Sequence, residues 1–275
     1  MKSFTYTLHG LGQTLAYLFD RFNADPYPLP SNRDLCEFVQ SNLDAFDADK
    51  LTNLKSWCKT SSIEDLAALE ADMEKWIASP KRRTTIKPST DAALLFATVY
   101  EFDQAWKLRI GEQDDLKVYK CFGVKGSYDE TAKIASVLTK SGDELRFWYT
   151  KTKSGLSLYD EAIRTECERD HDRYEIILPF VTLHDSASYN LDGWKLTDLT
   201  HVESCSYENL FHLDELGAKA KSITRTQTMT KSLPLPPKRI VFNKPFAAAV
   251  YEKGTRLPAM VAYCDKDCWL KKSGV

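Results

Sequence analysis

A chain of 275 residues, 43% of them hydrophobic and 12% aromatic, carries enough apolar material to bury roughly three-quarters of its unfolded surface around one core. Its 37 basic and 39 acidic residues leave a net charge of only −2, which excludes a global field drawing it toward nucleic acid or anionic lipid. The start, Met1-Lys2-Ser3-Phe4-Thr5-Tyr6-Thr7-Leu8-His9, has one basic residue but neither an unbroken apolar stretch nor a small-residue cleavage site, and no later run reaches membrane-spanning length. Neither a secretory leader nor a membrane span is therefore predicted. Seven cysteines (Cys36, Cys58, Cys121, Cys167, Cys205, Cys264, Cys268) are odd in number and lack framework spacing, and no Asn-x-Ser/Thr acceptor occurs. A reducing, cytoplasmic home is expected, with secretion by another route left open.

Residues 1–58 read as helical: Leu8, Leu11, Leu15, Leu18 and Phe19 share one helical face, Pro26, Pro28 and Pro30 break the chain, and a second helical stretch lies near Asp34 to Phe46. Ser62-Ile63-Glu64-Asp65 has the form of a capping box, and Ile63, Leu66, Met73, Trp76 and Ile77 recur at helical spacing. These predict an amphipathic helix over Ser62 to Ala78, ended by Pro80, with Lys81-Arg82-Arg83 as a turn. From Ala92 to Phe102 runs an apolar stretch rich in β-branched and aromatic residues, which predicts a central strand buried on both faces. Shorter strands are expected at Leu116 to Phe122, Leu145 to Tyr149, Tyr174 to Leu183, Asn209 to Leu213, Ile240 to Phe242, Phe246 to Tyr251 and Ala259 to Tyr263. A helix is expected at Leu158 to Cys167.

The stretch from Ala218 to Lys231 alternates two classes of residue. Ala218, Ala220, Ser222, Thr224, Thr226, Thr228 and Thr230 are small, whereas Lys219, Lys221, Ile223, Arg225, Gln227, Met229 and Lys231 are long or charged. In an extended chain the two sets line opposite faces. Neither face carries the large apolar side chains that hold an ordinary strand on a core. Such a segment suits water, and it also suits a slot between existing strands, where small inward residues add little volume and the long ones stay outside. Leu233-Pro234-Leu235-Pro236-Pro237 then stiffens the exit as an extended run that cannot continue a ladder. A flexible linker or an exposed edge hairpin fits the same pattern.

The residues that follow, Ile240-Val241-Phe242-Asn243-Lys244-Pro245-Phe246, resemble the C-terminal signature of the serpins, in which an Asn/Asp-Arg/Lys-Pro-Phe core follows the reactive loop. Ala247 and Ala248 stand where that family prefers large apolar residues. Glu215-Leu216-Gly217 resembles the Glu-Glu-Gly that opens the family's reactive-loop hinge. Ala92 to Trp106 resembles the third strand of its large sheet with the trailing Trp, although Thr98, Val99 and Glu101 replace the usual residues. Glu70 to Ile77 resembles the helix laid across that sheet, and Ile177-Leu178-Pro179-Phe180 its Leu-Pro-Lys-Phe strand. These stretches fall in the family's order, and the resemblance covers roughly Ser61 to Tyr263. Before Ser62 the chain is shorter than in typical members, so 1–58 stands as a divergent helical region.

The resemblance implies an α+β fold over 1–275 as a single serpin-like domain, with a large central mixed sheet, a second sheet, flanking helices and an exposed reactive loop at 217–237. It implies a hinge of Glu215, Gly217, Ala218, Ala220, Ser222 and Thr224, and a reactive bond at Lys231-Ser232 by the family's usual count from Gly217. Arg225 and Met229 are alternative reactive positions, and Lys231 also reads simply as an exposed surface lysine. The implied function is suicide inhibition: a trypsin-like serine protease cuts at Lys231 and the freed segment inserts into the large sheet. The chain would then be no enzyme and need no cofactor or metal, acting as a monomer whose partner is the protease rather than nucleic acid or membrane. Its alternative is a serpin-derived binding module that has lost insertion.

Independent enzyme signatures do not compete. Gly10-Leu11-Gly12 lacks the rest of a dinucleotide fingerprint, and no Walker, Gly-x-Ser-x-Gly or His-Glu-x-x-His sequence is present. Cys264 and Cys268 with His184 or His201 have the wrong spacing for common zinc modules. Arg169-Asp170-His171-Asp172-Arg173 reads as a solvated charged turn.

Overall fold

A computed structural model describes residues 2–22, 33–48, 51–81, 83, 85–87, 93–152, 154–165, 174–189, 191, 194–195, 201–202, 205–218 and 238–273. The chain opens with β1 (Phe4–Tyr6), α1 (His9–Phe22), α2 (Arg33–Ser41), α3 (Leu43–Ala48), β2 (Leu54–Ser61), α4 (Leu66–Ala78), β3 (Thr85–Lys87) and β4 (Ala93–Tyr100). It continues through β5 (Gln104–Ala105), β6 (Arg109–Gln113), β7 (Cys121–Asp129), β8 (Ile134–Leu138), β9 (Glu144–Trp148), α5 (Gly155–Arg164) and β10 (Tyr174–Pro179). The last part carries β11 (Val181–Ser188), β12 (Trp194–Lys195), β13 (His201–Val202), β14 (Ser206–Leu213), β15 (Gly217–Ala218), β16 (Lys238–Val241), β17 (Phe246–Tyr251) and β18 (Met260–Cys264).

A nine-stranded mixed sheet runs β1-β18-β17-β9-β8-β7-β10-β16, with β6 also on β7. The interior strand β17 explains the alanines at 247 and 248. Every residue of β17 is buried, and alternate side chains enter two different cores: Phe246, Ala248 and Val250 join Phe122, Phe147 and Phe242, whereas Ala247, Ala249 and Tyr251 join Leu8, Leu15 and Tyr159. Small residues suffice where a sheet is covered on both faces, because the neighbouring aromatics fill the volume. The first core also takes in Trp106, Phe211, Leu213 and Ala218, and so joins this sheet to the four-stranded sheet β11-β14-β15-β5. A third sheet, β3-β2-β4, carries α4 across β2 and β4.

Several expectations are corrected. The segment taken as a central, doubly buried strand is β4, which stands at the end of the order β3-β2-β4 and is half-buried at 94–100. It is covered by α1 on one side, where Phe96 meets Tyr17 with ring centroids 5.9 Å apart, and by α4 on the other. Gly10 lets α1 come close, since a Cβ there would stand 2.3 Å from Thr98 Oγ1. Residues 1–58 are not wholly helical: β1 pairs with β18, and β2 begins at Leu54. Between Leu116 and Lys120 there is no strand; the ladder instead lies at β6 and from Cys121 onward, with the register shift between Arg109 and Gly111 absorbed at Gly111, whose φ is 109°. The Ser62 capping box is replaced by a single 3₁₀ turn over Ile63–Asp65, in which Ser62 Oγ donates to Asp65 Oδ2 at 3.0 Å. The helix expected at Leu158 to Cys167 starts earlier, at Gly155, because Ser154 caps it by accepting from the Ser157 amide. Pro26, Pro28, Pro30, Arg82, Cys167 and the 169–173 turn lie outside the described residues.

Trp106 is 2% exposed and stacks on Phe122. Trp76 is half-buried rather than buried, its indole Nε1 donating 2.8 Å to the Arg83 carbonyl. Trp106→Ala should therefore cost about 3–5 kcal/mol in a denaturant titration. Trp76→Phe should remove a readily quenched share of the fluorescence that Trp106→Phe leaves in place.

The edge strand β1 is tied to β11 and β14 by polar groups: the Thr5 amide donates 3.0 Å to Asp185 Oδ2, the Tyr207 hydroxyl donates 3.3 Å to the Thr5 carbonyl, and the Tyr189 hydroxyl donates to the Thr7 carbonyl. Burial pushes the Tyr6 and Tyr189 hydroxyls well above their usual range, and burial with the neighbouring Asp185 carboxylate raises Tyr207 to about 12. An unfolded tyrosine ionises near pH ~10, so the folded state favours the neutral phenols and their contribution is fully present below that pH. It is lost as pH rises through about 12. Denaturant midpoints should fall from about pH 10 upward, and less so in Tyr207→Phe, which has no proton to lose.

Candidate functional site

At the end of β14 the chain reverses through Asp214, Glu215 and Leu216 into β15, and one side chain organises the turn. Asp214 Oδ1 accepts from the amides of Leu216 at 2.8 Å and Gly217 at 3.0 Å, the arrangement of an Asx turn. Its other oxygen faces His212 Nε2 at 3.3 Å, and the second nitrogen of that imidazole meets Thr182 Oγ1 at 2.9 Å. The Asp214 amide donates 3.1 Å to the Gly217 carbonyl and closes the turn. From the far side the buried Trp106 indole donates 2.8 Å to the Asp214 carbonyl, while the Trp106 amide donates 3.3 Å to that of Leu216. Glu215 is half-buried in this turn.

Gly217 and Ala218 then enter a narrow place. Ala218 pairs with Leu213 of β14 on one side and Gln104 of β5 on the other, both antiparallel. Gly217 has no alternative residue without movement of the main chain: an added Cβ would stand 2.2 Å from the Gln104 carbonyl oxygen and 2.9 Å from Ala105 Cα. Ala218 is 2% exposed. Gly217 and Ala218 are therefore a short strand seated between two others.

The wall it runs along alternates. In β14, Leu213, Phe211 and Asn209 are buried, whereas Leu210 is 56% exposed and Glu208 and Ser206 are exposed. Among the described residues β14 is paired on this edge only at Leu213, and β4 has a ladder only to β2.

Of the expected site residues, Glu215, Gly217 and Ala218 are brought together here. Ala220, Ser222, Thr224, Arg225, Met229, Lys231 and Ser232 lie outside the described residues. Sequence reasoning overlooked Asp214, whose position three residues before a glycine is an Asx-turn signal, and the His212–Thr182 contact, which only strand register reveals. Among the described residues no group of three or more His, Cys, Asp and Glu side chains is placed to hold a metal ion. His184 is engaged by Glu208 at 2.7 Å, and burial raises the Cys264 thiol well above its usual range.

A mixed sheet is joined through one core to a smaller sheet, whose last strand in chain order is the short buried pair Gly217-Ala218, and the chain has the serpin fold. It superposes on Serpin48 of the insect Tenebrio molitor with a TM-score of 0.58 at 11% identity, over 96% of this chain and 91% of that one. The thermophilic serpin tengpin gives 0.59 at 12% identity over 96% and 89% of the two chains. Thyroxine-binding globulin, in complex with thyroxine, gives 0.57 at 8% identity over 95% and 92%. By sequence, no family model matches the chain and no curated protein does.

Gly217→Ala should unseat β15 and lower stability by about 1–3 kcal/mol, the usual penalty for overpacking. Asp214→Ala should cost about as much by orphaning two amides. Hydrogen exchange at the Leu216 and Gly217 amides checks both, since each variant should lose protection there before it does so in β17.

Proposed function

We propose that this chain is a suicide-substrate inhibitor of a trypsin-like serine protease, acting as a monomer, with Lys231-Ser232 as the bait bond. The observation that carries this reading is a match of phase. Continuing the Ala218–Leu213 ladder sets Ala220, Ser222 and Thr224 opposite Phe211, Asn209 and Tyr207, so the small residues fall beside the inward positions of β14. Lys221 and Ile223 fall beside the exposed Leu210 and Glu208. The opposite ladder, continued from Ala218–Gln104, reaches Tyr100 at Ser222 and Phe96 at Thr226. A segment so placed would join β4 to β14 and make one sheet of two.

In this mechanism the protease serine attacks the Lys231 carbonyl, the Ser232 amine leaves with a proton, and the acyl-enzyme ester remains on Lys231. The freed segment from Ala218 then extends β15, gaining a ladder on both sides and carrying the acylated protease with it. No group of the chain acts as a catalyst. A second reading, a binding module without insertion, is favoured by the likeness to thyroxine-binding globulin, which is a binder.

The test uses the two faces of the hinge. Mass spectrometry of a limited tryptic digest should find the first cut at Lys231. Cleavage there should raise the melting temperature sharply, whereas a binding module would gain nothing. Ala220→Arg would set an unpaired charge against Phe211, at several kcal/mol, and should convert inhibitor to substrate. Lys221→Arg should leave the covalent complex on denaturing electrophoresis unchanged. Equal complex formation by both variants would refute insertion in this phase. Absence of complex with wild type across trypsin-like proteases would favour the binding module.

A further inference from the structure

Away from the hinge, α4, β2 and the chain that follows α4 enclose an open groove of about 410 Å³, within the ~300–1,000 Å³ usual for small-ligand sites. Its lining includes two tryptophans. Trp57 is buried in the floor, and Trp76 is half-buried, held in orientation by its bond to the Arg83 carbonyl. Four cations, Lys59, Lys75, Lys81 and Arg83, line the same space against one carboxylate, Asp72. That carboxylate is already engaged, because Lys59 pairs with it while its ammonium stands 5.5 Å from the centre of the Trp57 ring. Among the described residues Lys75 and Lys81 have no ion-pair partner, and both are exposed. Like charges gathered around one concavity repel one another, and here they do so on a chain whose net charge is −2.

We propose that this groove binds a small planar aromatic anion. The ring would lie against the Trp76 indole, and a phosphate or sulfonate would sit among Lys75, Lys81 and Arg83. Indole supplies a flat apolar surface that favours another ring, and ammonium and guanidinium groups supply charge-assisted hydrogen bonds. Both halves are needed: an inorganic anion leaves the Trp76 indole unused, and a neutral arene leaves Lys75 and Lys81 uncompensated. This site is independent of the bait bond, and it stands or falls without it.

Calorimetric titration of the full chain with 1-naphthyl phosphate, at about 0.15 M salt so that diffuse attraction is screened, tests it. Saturable one-to-one binding is expected, with inorganic phosphate and 1-naphthalenemethanol each at least about tenfold weaker, the size of one lost hydrogen bond to a charged group. Lys75→Gln combined with Lys81→Gln should weaken naphthyl phosphate about tenfold or more without altering the melting temperature, because both side chains are exposed. Trp76→Leu should weaken it comparably while leaving the response to inorganic phosphate alone. Failure to saturate, an affinity matched by inorganic phosphate, or an affinity unchanged in the lysine double variant would each overturn the assignment.

Discussion

The backbone of Gly217 lies so close to the Gln104 carbonyl that no side chain fits between them, and the arrangement of the small sheet follows from that contact. With Gly217 against β5, Ala218 must pair with Gln104 and Leu213 together, which fixes the register of β15 to both neighbours. The turn before it can then be only three residues long. Asp214 closes that turn with its own carboxylate, and Trp106 holds it from the side of the large sheet. The indole thus serves two purposes, filling the core against Phe122 and donating to the Asp214 carbonyl at the turn.

The larger sheet provides the rigidity against which this contact is set. Its interior strand β17 sends alternate residues into two cores, so neither face can slip without disturbing the other. α1 and α4 cover the separate sheet β3-β2-β4 from either side. The basic groove lies on the α4 side of that sheet, away from the turn at Asp214.

Much of this was legible in the chain. The segments Phe246–Tyr251 and Tyr174–Pro179 become strands, because short, mostly apolar runs with aromatic or β-branched members suit buried sheet positions. The Glu-Leu-Gly stretch falls at the turn that leads from β14 into β15. What escaped reading depends on distant partners. β1 is three residues long and is held by β18 and by tyrosines almost two hundred positions away. The apolar stretch of β4 looked central because composition records burial but not which strand covers which edge. Trp76 looked buried because helical spacing records a face and not the depth of what meets it; here that face meets a groove. Asp214 is one acidic residue among 39, and its place three residues before a glycine gains meaning only with its two amide contacts.

The alternation of β14 also bears on how the neighbouring segment can change in length. Side chains of a strand change face at every residue, so in the inserted state proposed above a chain extending this ladder from Ala218 would keep its small residues beside Phe211 and Asn209 only if nothing odd in number were inserted or removed after it. Loss of one residue would swing the lysines toward the core along the whole remaining length. Loss of two would shorten the segment and leave each face as it was. Length here comes in pairs, and natural or engineered variants that retain the pairing should differ from this chain by even steps.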